Sequence, residues 1–326
     1  MKAILLPSFG APEVMQMGEW ETPEPGPYDI RVRVKATALN RADTMQRQGV
    51  YPPPPGESPI LGLEMAGIVE KVGEAVQKWQ VGDRVCGLIG GGGYAEFVVT
   101  HEDMAIKIPE KLSFEEAAAI PEVFLTAFQA LHWLAKLQPG EQVLIHAGAS
   151  GVGTAAIQLV KLQQATSIVT ASAAKHALCL ALGASHAIDY KKENFAEVVG
   201  RLTDGSGVNV ILDFIAAPYF QQNLESLGIE GRLIMLSLIG GVKPAEVNLS
   251  HILRKRLQII GTTLRARSLD YKIALTQDFQ QHYLHYFQTG ELKPIIDSVR
   301  PWTEVVAAHR RMEANLNQGK IVLRVN

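Results

Sequence analysis

Short runs of branched and apolar residues, bounded by glycine, proline or aspartate, fill the first third of the chain. The runs over 30–34, 66–69, 84–88 and 95–99 include polar–apolar alternation, the pattern of half-buried antiparallel strands, so the region from 1 to about 117 is β-rich. Tyr51-Pro52-Pro53-Pro54-Pro55-Gly56 interrupts it. Its prolines fix φ and remove backbone donors, which predicts a stiff extended surface loop. At Ser113 the pattern changes: Ser113-Phe114-Glu115-Glu116 matches a capping box, and apolar positions over 117–135 recur at helical spacing with a break near Pro121. An apolar strand over 143–147 then runs straight into Gly148-Ala149-Ser150-Gly151-Val152-Gly153, followed by a helix over 154–161 and a strand over 167–170. Helix 174–182, strand 186–189, helix 194–202 and strands 208–214 and 232–236 continue the series, which predicts a parallel sheet covered on both faces. Beyond about 263 the pattern is less regular, carries Tyr271, Tyr283, Tyr286 and Trp302, and ends in a strand-like 320–325. These residues are read as returning to the first region, giving one domain over 1–121 and 263–326 and a second, inserted one over 122–262. The fold class is α/β.

Length agrees with two domains: the chain has 326 residues, against roughly 100–200 per domain. With 47% hydrophobic residues it buries enough apolar surface to exclude a disordered chain. Cys86 and Cys179 are the only cysteines, which excludes a disulfide framework and fits a reducing compartment. The formal charge of -2 argues against nucleic acid as the main partner. The start is too short in apolar residues for a signal peptide, and no apolar run approaches a membrane span, so the cytoplasm is the expected location.

The candidate chemistry lies in the loop. Gly151-Val152-Gly153-Thr154-Ala155-Ala156 is G-x-G-x-x-A between a strand and a helix. The first glycine permits the tight turn, the second lets backbone approach a pyrophosphate, and the small third residue allows close helix–strand packing. The helix start offers free N–H groups and its positive dipole end to the phosphates. Ser150, Gly151, Val152 and Gly153 are therefore expected to hold a dinucleotide. An NAD site places a carboxylate on the ribose about 20 residues further on, yet 142–188 contains no Asp or Glu. Ser172 and Lys175 stand there instead, a hydroxyl and an ammonium suited to a 2′-phosphate, so NADPH is the expected cofactor. Tyr190 faces the adenosine or caps a sheet edge; pattern leaves both open.

Gly62-Leu63-Glu64-Met65-Ala66-Gly67-Ile68-Val69, Val81-Gly82-Asp83-Arg84-Val85 and the glycine loop resemble the medium-chain dehydrogenase/reductase superfamily. Within it, Ala38-Leu39-Asn40-Arg41-Ala42-Asp43, Met45-Gln46-Arg47-Gln48-Gly49, Ile120-Pro121-Glu122 and Met312-Glu313-Ala314-Asn315 resemble the zinc-free quinone oxidoreductases, over essentially the whole chain. The resemblance implies a GroES-like catalytic domain and a Rossmann domain. Zinc-dependent relatives bind metal through a first-domain Cys, a His in Gly-His-Glu and a later Cys. Here Asn40 lies near the first position, Leu63 replaces the histidine, and the four-cysteine lobe is absent, so no metal site is expected.

The resemblance also implies that Asn40 and Tyr51 line the substrate side, that Thr126 lies near the nicotinamide, and that Ser237, Asn315 and Asn317 lie at the cofactor's nicotinamide end. Plainer readings stand beside these: Tyr51 packs on the proline loop, Asn40 satisfies loop backbone, Asp43 and Glu64 are structural, and His146 is a satisfied core residue. The expected activity is metal-free hydride transfer from NADPH to a quinone bound between the domains. The alternatives are alkenal or enone reduction on the same fold, or a crystallin-like or RNA-binding protein that uses the cofactor without catalysis. The strand-like 257–264 suggests pairing across a two-fold axis, hence a homodimer, with a tetramer open.

Overall fold

The computed structural model describes residues 1–325. Its chain divides into two compact units, Met1–Leu125 with the residues from Arg265 onward, and Thr126–Leu264.

The first unit is a seven-stranded sheet. Its order is Ile296–Pro301, Lys320–Arg324, Asp29–Ala38, Glu64–Val72, Arg84–Leu88 and Ala105–Lys107, with Phe97–His101 pairing back onto Asp29–Ala38. The long strand Asp29–Ala38 is the hub, since three other strands bond to it. Shifts in register after Arg31 and after Val34 bend it, as bulges do, so that it serves partners on both edges. Ile30, Val32, Val34, Val69, Val85, Ile321 and Leu323 form its core. Chain from both ends is therefore interleaved in one sheet.

Ser113 caps the helix Phe114–Ala118 as its sequence predicts: its Oγ accepts from Glu116 N–H at 3.1 Å and Glu116 Oε2 accepts from Ser113 N–H at 2.8 Å. The break at Pro121 is a new helix start, Pro121–Phe128, which continues as a π-helical turn over Gln129–Leu134. The helices Arg41–Arg47 and Leu269–Thr289 were not predicted. Leu269–Thr289 buries Lys272, Leu275, Thr276, Phe279, Tyr283 and Phe287, a stripe at helical spacing. Lys and Thr within the stripe hide it from a count of apolar residues.

The second unit is a six-stranded parallel sheet. Taken in chain order, its strands are Gln142–Ile145, Thr166–Ala171, His186–Asp189, Val208–Asp213, Leu227–Met235 and Gln258–Gly261. In space they lie third, second, first, fourth, fifth, sixth. That is the doubly wound order of dinucleotide-binding sheets, with its switch point between the first and fourth strands. The fifth strand starts earlier than its apolar pattern because its register jumps from Leu227 to Arg232 against the fourth, with Glu230 at φ 59° within the jump.

Candidate active site

In the second unit the predicted cofactor residues cluster at the carboxyl ends of the parallel strands. Ser150 caps the helix Gly151–Leu162, its Oγ accepting from Gly153 N–H at 3.1 Å. A Cβ on Gly153 would stand 2.5 Å from the Ala147 carbonyl oxygen and 2.6 Å from that of Gly148. Only glycine lets the helix start lie this close to the strand end. Ala147 itself is held at φ 50°, the kind of strained turn found beside functional loops. The first turn keeps N–H groups without intrahelical acceptors, and these residues fit a pyrophosphate. Ser172 and Lys175 follow the second strand, Tyr190 the third and Ser237 the fifth. Lys175 also acts on the Cys179 thiol, whose pKa burial pushes up to about 11 against the pull of that ammonium. Tyr190 is 45% exposed. It raises the pKa of Tyr219, which burial first and then Tyr190 and Asp213 bring to about 12.

His146 is fully buried and both its ring nitrogens are used: Nδ1 lies 3.0 Å from Thr170 Oγ1 and Nε2 lies 2.7 Å from Asn223 Oδ1. Asn223 Nδ2 donates to Asp213 Oδ2 at 3.0 Å, so its Oδ1 accepts from His146 Nε2–H. Burial lowers the His146 pKa, against the opposing pull of Asp213 and Asn223. It is a structural residue behind the loop. Thr126 lies half-buried on the helix Pro121–Phe128.

In the first unit Asn40 precedes the helix Arg41–Arg47, and both ends of its side chain are committed. Nδ2 donates to Glu64 Oε1 at 2.8 Å, and Oδ1 accepts from Lys320 Nζ at 2.6 Å. Lys320 also pairs with Glu64 at 2.7 Å, and both are buried. Glu64 Oε2 accepts from Glu122 N–H at 2.8 Å. Asp43 accepts from Asn40 N–H at 2.7 Å and from Gly62 N–H at 3.0 Å. Asp43 and Glu64 are thus the loop anchors their pattern suggests. Burial raises the Asp43 pKa to about 6. Burial, and then the neighbouring Glu64, raise that of Glu122 to about 8.

Tyr51 is half-buried, and burial followed by Glu122 raises its phenol pKa, with Arg265 opposing. Asn315, at φ 54°, accepts from Arg41 Nη2 at 2.6 Å, and Asn317 donates to Gly319 O at 2.8 Å. Both belong to the first unit. The sequence pattern gives no role to Arg265 and places Lys320 only as the start of a strand. Lys320 reaches Asn40 and Glu64 through the sheet, and Arg265, on a loop, meets Gly90 from 175 positions away.

Sheet order and loop together define a nicotinamide-dinucleotide-binding protein. Residues 26–110 match the alcohol dehydrogenase GroES-like domain, and residues 151–280 match the zinc-binding dehydrogenase family. The chain is 33% identical to a quinone oxidoreductase of Pseudomonas aeruginosa over 99% of each sequence. It is 31% identical to the synaptic vesicle membrane protein VAT-1 homolog of Rattus norvegicus, over 99% of this chain and 84% of the relative. A crystal structure of an NAD-dependent alcohol dehydrogenase superposes with a TM-score of 0.89 at 33% identity, covering 100% of both chains. The chain belongs to the medium-chain dehydrogenase/reductase superfamily and is an NAD(P)-dependent oxidoreductase of it. Zinc belongs to the name of the matched family. Here Leu63 is buried in the corresponding motif, and among the described residues no three His, Cys, Asp or Glu side chains gather as a metal set. No helix among them is long and apolar enough to cross a membrane.

Proposed function

We propose that the protein is an NADPH-dependent quinone reductase that works without a metal, in the cytoplasm and as a homodimer. The observation that carries the cofactor choice is the second strand's end: Ser172 and Lys175 stand there, and 142–188 is free of carboxylates. A 2′-phosphate is attracted by Lys175, and this stretch itself supplies no carboxylate to repel it. The bound cofactor supplies a hydride at its nicotinamide. Ser150, Gly151, Val152 and Gly153 hold the pyrophosphate, with Ser172, Lys175 and Tyr190 on the adenosine side and Thr126, Ser237, Asn315 and Asn317 toward the nicotinamide. Tyr51 donates a hydrogen bond, and then a proton, to the acceptor oxygen. Asn40, tied to Glu64 and Lys320, shapes the wall from which the acceptor is presented. A quinone needs no Lewis acid, because hydride addition leaves charge on an oxygen that one phenol can stabilise. Support for that acceptor is the likeness to the Pseudomonas aeruginosa quinone oxidoreductase.

The test is loss of NADPH absorbance with a para-quinone, an ortho-quinone, an enone and an alkenal, each repeated with NADH. Quinone turnover with NADPH preferred at least tenfold is expected, and Lys175→Glu should erase most of that preference. Equal use of NADH by the parent protein overturns the cofactor assignment. Turnover confined to alkenals or enones replaces the quinone assignment by double-bond reduction.

A further inference from the structure

Tyr51 lies beyond the helix Arg41–Arg47 and opens the proline loop, whose ring constraints stiffen the backbone but leave a tyrosine side chain free to turn. What holds its ring is the guanidinium of Arg265, whose central carbon stands 5.6 Å from the ring centroid. Arg265 is only 5% exposed and rigidly placed. Nε and Nη2 donate to Gly90 O at 2.9 and 2.7 Å, and Nη2 donates to Gln46 Oε1 at 2.8 Å. Nη1 is buried without a hydrogen-bond acceptor. An unmet N–H on a buried cation is unfavourable, and an aromatic face is the uncharged surface that best compensates for it. The charged groups acting on Arg265 are Asp43, Glu122 and Glu57; those acting on Tyr51 are Glu122 and Arg265.

We infer that Arg265 is the positioning residue for Tyr51: it fixes the phenol ring through its π face and, as a permanent cation, keeps the hydroxyl a competent proton donor. Arg265 acts on the phenol as a constant charge, and Glu122, with its pKa raised to about 8, adds its own only above that pH. Arg265 favours the phenol's ionised form and Glu122 disfavours it. Arginine suits this place better than lysine, because its planar fork binds Gly90 and Gln46 with its edge and leaves a face for the ring. The catalytic value of the arrangement rests on the reading that Tyr51 serves the acceptor oxygen, whereas the coupling itself does not.

The experiment uses the full chain with Arg265→Gln, Arg265→Lys, Glu122→Gln and Tyr51→Phe. Tyrosinate absorbance is titrated with alkali, and the component missing in Tyr51→Phe is assigned to Tyr51. Arg265→Gln should move that component up by about one pH unit, Glu122→Gln should move it down, and Arg265→Lys should leave it near the parent value. Quinone turnover is then compared in a double-mutant cycle: Arg265→Gln should cost about tenfold in kcat when Tyr51 is present and nothing further in Tyr51→Phe. A Tyr51 component that neither Arg265→Gln nor Glu122→Gln moves overturns the inference. So does an Arg265→Gln loss of equal size with and without the Tyr51 hydroxyl. Should Arg265→Gln fail to fold, Arg265→Lys and Glu122→Gln still decide by the position of the Tyr51 component. Should no quinone be reduced at all, the functional reading falls while the titration still tests the coupling.

Discussion

His309 is fully buried beside Tyr94, its Nε2 3.2 Å from the Tyr94 hydroxyl and its Nδ1 without any partner. Burial, and then Arg47, lower its pKa from 6.5 to about 3. Arg47, itself buried, pairs with Glu313. An unfolded chain takes up a proton on this histidine below about pH 6.5 that the folded chain refuses until about pH 3. Stability from this group is therefore complete above pH 6.5 and is lost as pH falls through that window, by up to roughly 5 kcal/mol. Urea unfolding at pH 7, 6, 5 and 4 should show a shallower decline in His309→Gln than in the parent protein. Identical slopes would assign the acid sensitivity elsewhere. Nothing in the residues around His309 announces this role. Its neighbours Ala308 and Arg310 are ordinary helix residues, and Tyr94 lies 215 positions earlier.

The polar chain behind the glycine loop belongs to the scale of elements. Thr170, His146, Asn223 and Asp213 link the ends of three parallel strands to the helix Phe220–Ser226 through hydrogen bonds of 3.0, 2.7 and 3.0 Å. Asp213 also holds the turn that follows its strand, accepting from Ile215 N–H at 2.7 Å and Ala216 N–H at 3.1 Å. Asn223→Ala removes a donor and an acceptor at once and leaves His146 and Asp213 buried with unmet polar atoms. A loss of about 2–3 kcal/mol is expected, read by chemical denaturation. A loss near zero would mean that water takes the place of the amide. The strands themselves were legible in the sequence, because their apolar runs are short, uniform and punctuated by glycine. The network was not, since Asn223 and Asp213 read locally as common helix and strand-end residues. The long helix Leu269–Thr289 escaped for the related reason that its buried stripe includes Lys272 and Thr276.

For the whole molecule, the interleaving of both chain ends in one sheet carries its own consequence. Lys320–Arg324 lies between Ile296–Pro301 and Asp29–Ala38. Its Ile321, Val322 and Leu323 are completely buried. A fragment ending at Leu264 lacks that strand, exposes the apolar edge of Asp29–Ala38 and should aggregate. A fragment over Thr126–Leu264, which owns all six strands of its sheet, should remain folded; circular dichroism and gel filtration distinguish the two. A soluble, folded 1–264 would show that the first unit tolerates the loss of its return. The amino-acid sequence by itself determined the two-part α/β plan, the glycine loop, the missing carboxylate after the second strand and the missing histidine at Leu63, because each is a local pattern or a local absence. Only the tertiary structure decided which polar side chains meet: Arg265 with Tyr51, Lys320 with Asn40 and Glu64, His309 with Tyr94. Those pairings join residues more than 200 positions apart, on strands, helices and loops that only the folded chain brings together, and no local spacing encodes them.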